Sequence, residues 1–196
     1  MNSAGTKKSA ARQRIIETAE KLFYAEGIRA VGIDRIIAEA EVAKMTLYNH
    51  FGSKDDLILA VLEYREEQFD RFLETTMQKF TNSGMDRLEA FFATLKQWFE
   101  SKGFRGCSFI NAAVELAECE HPASLFAAQH KRTFQSMIQE IVTEIAGSKA
   151  DSVAPAITLL IEGAIVTAMM QRNSNSADVA LEAALALLPK KRKKQK

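Results

Sequence analysis

Lys44-Met45-Thr46-Leu47-Tyr48-Asn49-His50-Phe51 is the stretch on which the reading of this chain turns. Leu47 and Phe51 stand four apart, the spacing that puts two side chains on one face of a helix, so they pin a short helix to a core. Met45, Thr46, Tyr48, Asn49 and His50 then project outward, with Lys44 leading in. That mixture suits a DNA duplex. Asn pairs with an adenine edge, Lys with guanine or phosphate, a Met side chain or Thr methyl touches the thymine methyl, and Tyr and His donate to phosphate oxygens. Just upstream, Ile33, Ile36, Ile37 and Ala40 give another short helix and Val42 anchors the turn. Residues 33–51 therefore read as helix, turn, helix, with the second helix sized for a major groove.

Working outward, Ile15, Ala19, Leu22, Phe23 and Glu26 mark a first helix from about Ser9, stopped by Gly27 in the left-handed conformation. On the other side, Ser53-Lys54-Asp55-Asp56 resembles a capping box and opens a long helix with Leu57, Val61, Tyr64, Phe69, Phe72, Leu73 and Met77 on its stripe. Leu88 to Phe99, closed by Gly103, gives another helix, and Phe109 to Leu116 a shorter one. Pro122 suits a first helical position, and the helix from it runs to Gly147. Ser152 to Arg172 and Ala177 to Leu188 complete an all-α chain of about nine helices, with no strand-like alternation and no Gly-Ser linker.

The chain divides into a basic N-terminus (1–8), expected to be flexible, a three-helix helix-turn-helix domain (9–52), a larger helical domain (53–189), and a basic tail (190–196), expected to be disordered. Charge follows this division. Residues 1–54 carry 9 Lys/Arg against 6 Asp/Glu, residues 55–189 carry 11 against 19, and residues 190–196 carry 6 against none. Basic ends on an acidic body suit a polyanion partner at one end, although solvated charged faces produce the same asymmetry.

The run from Val42 to Leu57, preceded by Ile36 and Ala40 and by Leu22-Phe23 and Gly27, resembles the tetracycline-repressor (TetR) family. The likeness covers roughly residues 9–60. Gly106-Cys107-Ser108-Phe109-Ile110-Asn111-Ala112-Ala113 followed by Glu115 is similar to a segment in one broad branch of these regulators. The resemblance implies an all-α homodimer that binds a palindromic operator in double-stranded DNA and responds to a small-molecule effector. It implies that Lys44, Met45, Thr46, Tyr48, Asn49 and His50 match the recognition helix and that Lys54 matches a phosphate contact. Three positions depart from the pattern. Ala43 stands where a Ser often caps the recognition helix, Met45 where a small residue is usual, and Glu41 where Gly often makes the turn. Met45 either adds bulk to the groove face or packs inward, and Glu41 is expected to carry backbone strain.

The body is expected to hold the effector between helices, with Phe91, Trp98, Phe109, Asn111, Glu115, Phe126 and His130 as pocket candidates that mix aromatic walls with a few polar groups. Most aromatic residues at helical spacing are core, so only some of these are expected to touch a ligand. The last two helices are apolar over more than one face, and another subunit would cover them. Ile161, Gly163, Ala164, Ile165, Ala168, Leu181 and Leu185 are the candidates for that dimer seam, against the alternative of a monomer's core helix.

Other classes find little support. No nucleophile elbow, phosphate-cradling Gly-rich loop or metal-spaced cluster occurs, so neither catalysis nor a cofactor is expected. His50, His121 and His130 are scattered, and Cys107 and Cys119 read as small packing residues. No secretory signal is legible, which places the expected protein in the cytoplasm. Ile157 to Met170 is expected to fall short of a membrane span. A helical adaptor and a non-sequence-specific DNA binder remain the rival readings.

Overall fold

The computed structural model describes residues 3–189, with side chains from residue 10 onward. The expected disordered tail, 190–196, lies outside the described residues. Among those described there are nine α-helices and no strand. They are α1 (Ser3–Glu26), α2 (Ile33–Glu39), α3 (Lys44–Tyr48), α4 (Lys54–Asn82), α5 (Arg87–Phe99), α6 (Ser108–Leu116), α7 (Pro122–Ala146), α8 (Ala150–Gln171) and α9 (Asn175–Leu187), with a 3-10 turn at Gly147–Lys149.

The described residues form two compact units, one of residues 3–70 with 107–130, the other of residues 71–106 with 131–189. The division falls within α4 and α7, because α2 and α3 are too short to close a core on α1 without the first turns of α4. In the first unit α1, α2 and α3 pack on one another. Ile15, Ile16, Ala19, Leu22 and Phe23 of α1, Ile36 of α2, Leu47 of α3 and Leu57, Ile58, Val61 and Leu62 of α4 are all buried. In the second unit α9 packs on α8 and α5. Its core holds Phe91, Phe92 and Leu95 of α5, Phe134, Ile138 and Ile141 of α7, and Ile157, Ile161 and Ala168 of α8.

The punctuation explains most boundaries. Gly27 ends α1 at φ +97°, and its N–H bonds the Phe23 carbonyl in the one-bond αL cap. Ser53 Oγ accepts from the Asp56 amide at the start of α4. Pro122 begins α7. Asp86 and Glu89 form a reciprocal capping box on α5, which the apolar pattern alone did not locate. The start of α1 differs from expectation: the helix begins at Ser3, not near Ser9, so residues 3–8 are helical. Ala4, Lys7, Lys8 and Ala10 are good helix formers with no proline among them, and nothing stops the helix at Ser9.

The stretch 122–171 contains one window apolar enough, and long enough, to cross a membrane by composition. Length therefore does not exclude a span, contrary to the expectation from Ile157 to Met170. The contacts of α8 account for its apolar character differently. Ile157, Ile161, Ala164 and Ala168 are buried within the unit, and Glu162 takes a two-pronged ion pair from Lys131 at 2.7 and 2.9 Å. One side of α8 is thus packed within the unit.

Candidate nucleic-acid interface

Helix α3 has five residues, too few to hold its shape alone, so burial does the work. Leu47 is fully buried and Phe51 is 3% exposed, which fixes the helix against α1 and α2. Met45 is 68% exposed and Tyr48 42%, so Met45 belongs to the outward face and does not pack inward. Lys44 and Asn49 are exposed, Thr46 and His50 half-buried. Asn49 is the C-cap of α3, still in right-handed helical conformation, and its N–H bonds the Met45 carbonyl. His50 lies one residue further on, where its N–H bonds Leu47 in a tightened last turn. Five of the expected reading residues, Lys44, Met45, Thr46, Tyr48 and Asn49, thus lie on one short helix and its C-cap, and His50 follows directly after them. Lys44 Nζ reaches Asp34 Oδ1 at 3.3 Å, an exposed pair that a phosphate can displace at little cost.

The turn before α3 carries the strain expected of it. Glu41 has φ +52°, the Glu41 N–H bonds Ala38, and the Val42 N–H bonds Ile37. That pair of bonds is the Schellman ending, here with Glu where glycine is favoured. Ala43, the N-cap of α3, makes no side-chain cap. The entry to the reading helix is therefore set by backbone bonds and buried neighbours.

Lys54 is placed otherwise than expected. Its Nζ donates to the Ile28 carbonyl at 2.6 Å and lies 5.7 Å from the Phe23 ring centroid. Burial pushes its pKa down, opposed by the Asp55 and Glu115 charges. The first donor of this ammonium is spent inside the protein, although an ammonium carries three.

Glu115 is likewise turned toward the turn that precedes α2. Its Oε2 accepts from the Ile28 amide at 2.5 Å and from the Arg29 amide at 3.3 Å, so this pocket candidate is engaged within the first unit. Arg29 Nη2 donates to the Leu116 carbonyl. Arg65, not anticipated from sequence, donates to Ser108 Oγ at 3.1 Å and to Glu20 at 2.8 Å, with its guanidinium 4.4 Å from the Tyr24 ring centroid. Arg35 bonds both Glu26 and Glu39, and holds the Glu26 carboxyl below its usual range. None of these arginines carries a motif. Apart from the i,i+4 pair of Arg35 with Glu39, their partners lie up to 87 residues away, beyond what helical periodicity reports.

The other pocket candidates divide between the units. Phe91 is fully buried against Phe92 and Phe134, and Trp98 meets Phe99 and Phe104 at 5.8 and 5.0 Å between centroids, all within the second unit. In the first unit, the His130 ring lies stacked on Phe109, with centroids 3.6 Å apart, and Phe126 stands 6.4 Å from Phe109. His130 Nδ1 meets Glu66 Oε1 at 2.8 Å. Asn111 is half-buried on α6.

Of the seam candidates, Ile161, Ala164, Ile165 and Ala168 are buried within the chain's own second unit. Gly163 and Leu185 are exposed and Leu181 half-buried. The apolar surface that α8 leaves open is instead Leu159, Val166 and Met170, in line with Gly163 at helical spacing, and α9 adds Val179, Leu185 and Leu187. A helix apolar all round shows no phase, so sequence could not say which side the chain itself would cover.

Residues 15–61 match the family model described as bacterial regulatory proteins, tetR family, and residues 84–183 the model of the transcriptional regulator LmrA/YxaF-like C-terminal domain. The chain is 28% identical over 189 residues to the HTH-type transcriptional repressor DhaR of Mycobacterium sp. (strain GP1), covering 91% of this chain and 92% of that protein. It is 22% identical to the HTH-type transcriptional regulator YjdC of Escherichia coli, over 86% of this chain and 88% of the relative. A TetR-family transcriptional regulator from Streptomyces coelicolor superposes with a TM-score of 0.79 at 32% identity, over 91% of this chain and 94% of its own. Reduced E. coli NemR shares the fold, with a TM-score of 0.77 at 18% identity over 94% of this chain and all of that one.

Proposed function

Because the chain belongs to the TetR family of bacterial regulatory proteins, we propose that it is a homodimeric repressor that leaves a palindromic operator when a small-molecule effector binds. The observation that carries this reading is the outward row Lys44, Met45, Thr46, Tyr48 and Asn49 on a helix anchored by buried Leu47 and Phe51. Lys44 and Tyr48 contact the backbone, and Asn49 with Met45 and Thr46 reads base edges. Two such helices, one per protomer, enter successive major grooves about 34–36 Å apart, and the effector acts by changing that spacing. His50 contacts phosphate at the edge of this surface, and Lys54 serves it by holding the Ile28 carbonyl.

The open apolar row Leu159, Gly163, Val166 and Met170, with Val179 and Leu185, is the surface through which two protomers pair. Burying such a row against its twin removes apolar surface from water and closes a two-fold interface. The stacked Phe109 and His130, with Phe126 and half-buried Asn111 nearby, form the aromatic wall that meets the effector, whereas Phe91 is core. Such a regulator works in the cytoplasm, where its operator is.

Selection of duplexes from a random pool by the purified protein tests the reading. Recovery of one palindrome, bound far more tightly than random DNA at the same salt, is the expected result. Binding with a steep salt slope and no preferred sequence would instead make the protein a non-specific DNA binder.

A further inference from the structure

An αL cap leaves work undone. At the end of α1 it satisfies the Phe23 carbonyl through the Gly27 amide and provides nothing for the next two N–H groups, those of Ile28 and Arg29. Ile28 is 6% exposed, so its amide has little access to water and needs a partner. Successive amides after a left-handed residue form a concavity that favours an anion. Here the anion is internal: the Glu115 carboxylate, from the last turn of α6, 87 residues away in sequence. Gly27 is fitted to this arrangement twice. Its φ of +97° excludes most side chains, and a Cβ there would lie 2.9 Å from Glu115 Oε2.

Helix α6 is joined to the DNA-reading helices at both ends. Its first residue, Ser108, is tied through Arg65 to Glu20 of α1. Its last, Leu116, accepts from the Arg29 side chain, one residue before which Glu115 grips the backbone. The Ile28 peptide is also held from its other side, where Lys54 at the start of α4 bonds the carbonyl. Directly after this peptide come Val31, fully buried, and α2, whose Arg35 returns to Glu26 at the end of α1. The turn at residues 27–32 therefore sets the angle at which α2, and α3 behind it, leave α1.

We propose that Glu115 is a positioning residue for DNA recognition: by holding the Ile28 and Arg29 amides, it makes the placement of the reading helix depend on the position of α6. The proposal rests on the assignment of α3 as the reading helix. Glu115 itself touches no DNA in this scheme, and its effect is on the geometry of α2 and α3. Loss of the carboxylate should therefore harm fit to a chosen sequence more than general attraction to phosphate.

The test compares full-length wild type, Glu115→Ala and Glu115→Gln in three measurements. These are amide exchange by NMR, affinity for the palindrome recovered from the random pool, and affinity for a random duplex of equal length across a salt series. In Glu115→Ala, exchange at Ile28 and Arg29 should accelerate about tenfold or more while Ala19 to Phe23 stay slow, as expected for loss of a charge-assisted bond. Operator affinity should fall about tenfold, with random-duplex affinity and salt slope nearly unchanged. Glu115→Gln keeps an acceptor at the same reach but loses the charge, and should restore operator affinity to within about threefold of wild type. Wild-type exchange and wild-type operator affinity in Glu115→Ala would overturn the proposal. Should the alanine variant not fold, Glu115→Met, of similar length and without a carboxylate, is measured in its place, and the same pair of results there would overturn the proposal. Equal loss on operator and random duplex, with a changed salt slope, would also overturn it, by making Glu115 a general electrostatic residue. Absence of any preferred palindrome for wild type would sink the DNA-reading assignment instead, and the exchange measurement would still decide whether Glu115 holds the turn.

Discussion

Lys54 and Ile28 are joined by a 2.6 Å hydrogen bond from the ammonium at the start of α4 to a backbone carbonyl in the turn after α1. The bond converts a residue whose position suggested phosphate contact into one that shapes the reading unit. Lys54→Ala should weaken operator binding about three- to tenfold, the net scale of one ordinary hydrogen bond, and leave the salt slope of binding unchanged. A slope reduced by about one would show a phosphate contact instead.

Glu41 stands in the left-handed region, at φ +52°, where a Cβ is disfavoured by roughly 1–2 kcal/mol. Glu41→Gly keeps both backbone bonds of the Schellman ending and relieves that strain, offset in part by the greater freedom of glycine in the unfolded chain. A gain of about 0.5–1 kcal/mol is expected, read as a rise of about 1–4 °C in Tm. Ala117, at φ +55° after α6, should respond to glycine in the same direction.

Asp70 has its pKa raised by burial and by the neighbouring Glu66 carboxylate, against the opposing influence of His130. A carboxyl whose pKa is higher folded than unfolded contributes stability that is complete below the unfolded value and is lost as pH rises through the folded one. At pH 7 the charged Asp70 therefore disfavours folding. Asp70→Asn should melt at a higher temperature than wild type at pH 7, and the difference should vanish in acid below the ordinary carboxylate range. A difference independent of pH would assign the effect to packing.

Ala164 is 5% exposed and Val166 is 42% exposed, two residues apart on α8, so only the second lies where a partner can reach it. Val166→Glu should sediment as a monomer with wild-type helix content, because a carboxylate buried at a two-fold seam meets its own copy. A full-strength Val166→Glu dimer would place the seam elsewhere. Ala164→Glu reports on folding and is the wrong probe.

Asn49→Ala should relax base preference at one operator position, costing about 1–3 kcal/mol there, whereas Tyr48→Phe should weaken binding to every sequence alike. Repeated selection from the random pool with each variant separates the two.

Much of the fold is legible in the sequence because helix ends carry local chemistry. Gly27, Ser53 and Pro122 mark boundaries through conformations that hardly depend on the rest of the chain. Leu47 and Phe51 were readable for the same reason, their spacing alone separating core from surface. Glu115 was not. On α6 it sits among apolar residues and reads as a polar group in a pocket, and its true partners, the amides of Ile28 and Arg29, carry no side-chain signal at all. Ile161 and Ile165, expected at a seam, are buried within the chain's own unit, because α8 is apolar over more than one face and the side that is covered is chosen by α9 and α5. The outward side of α3 was legible from the spacing of Leu47 and Phe51, while the Lys54 bond to Ile28 was not, because a long stem lets one ammonium reach a phosphate or a carbonyl.

The reading helix separates its anchors from its outward side chains: Leu47 and Phe51 are sunk in the unit, and the entry turn is set by main-chain bonds, so residues 44, 45, 46, 48 and 49 contribute little to holding α3 in place. Those five positions behave as interchangeable type in a fixed frame. If these positions read the operator as proposed, a change of operator needs only new side chains at them and no compensating change in the scaffold.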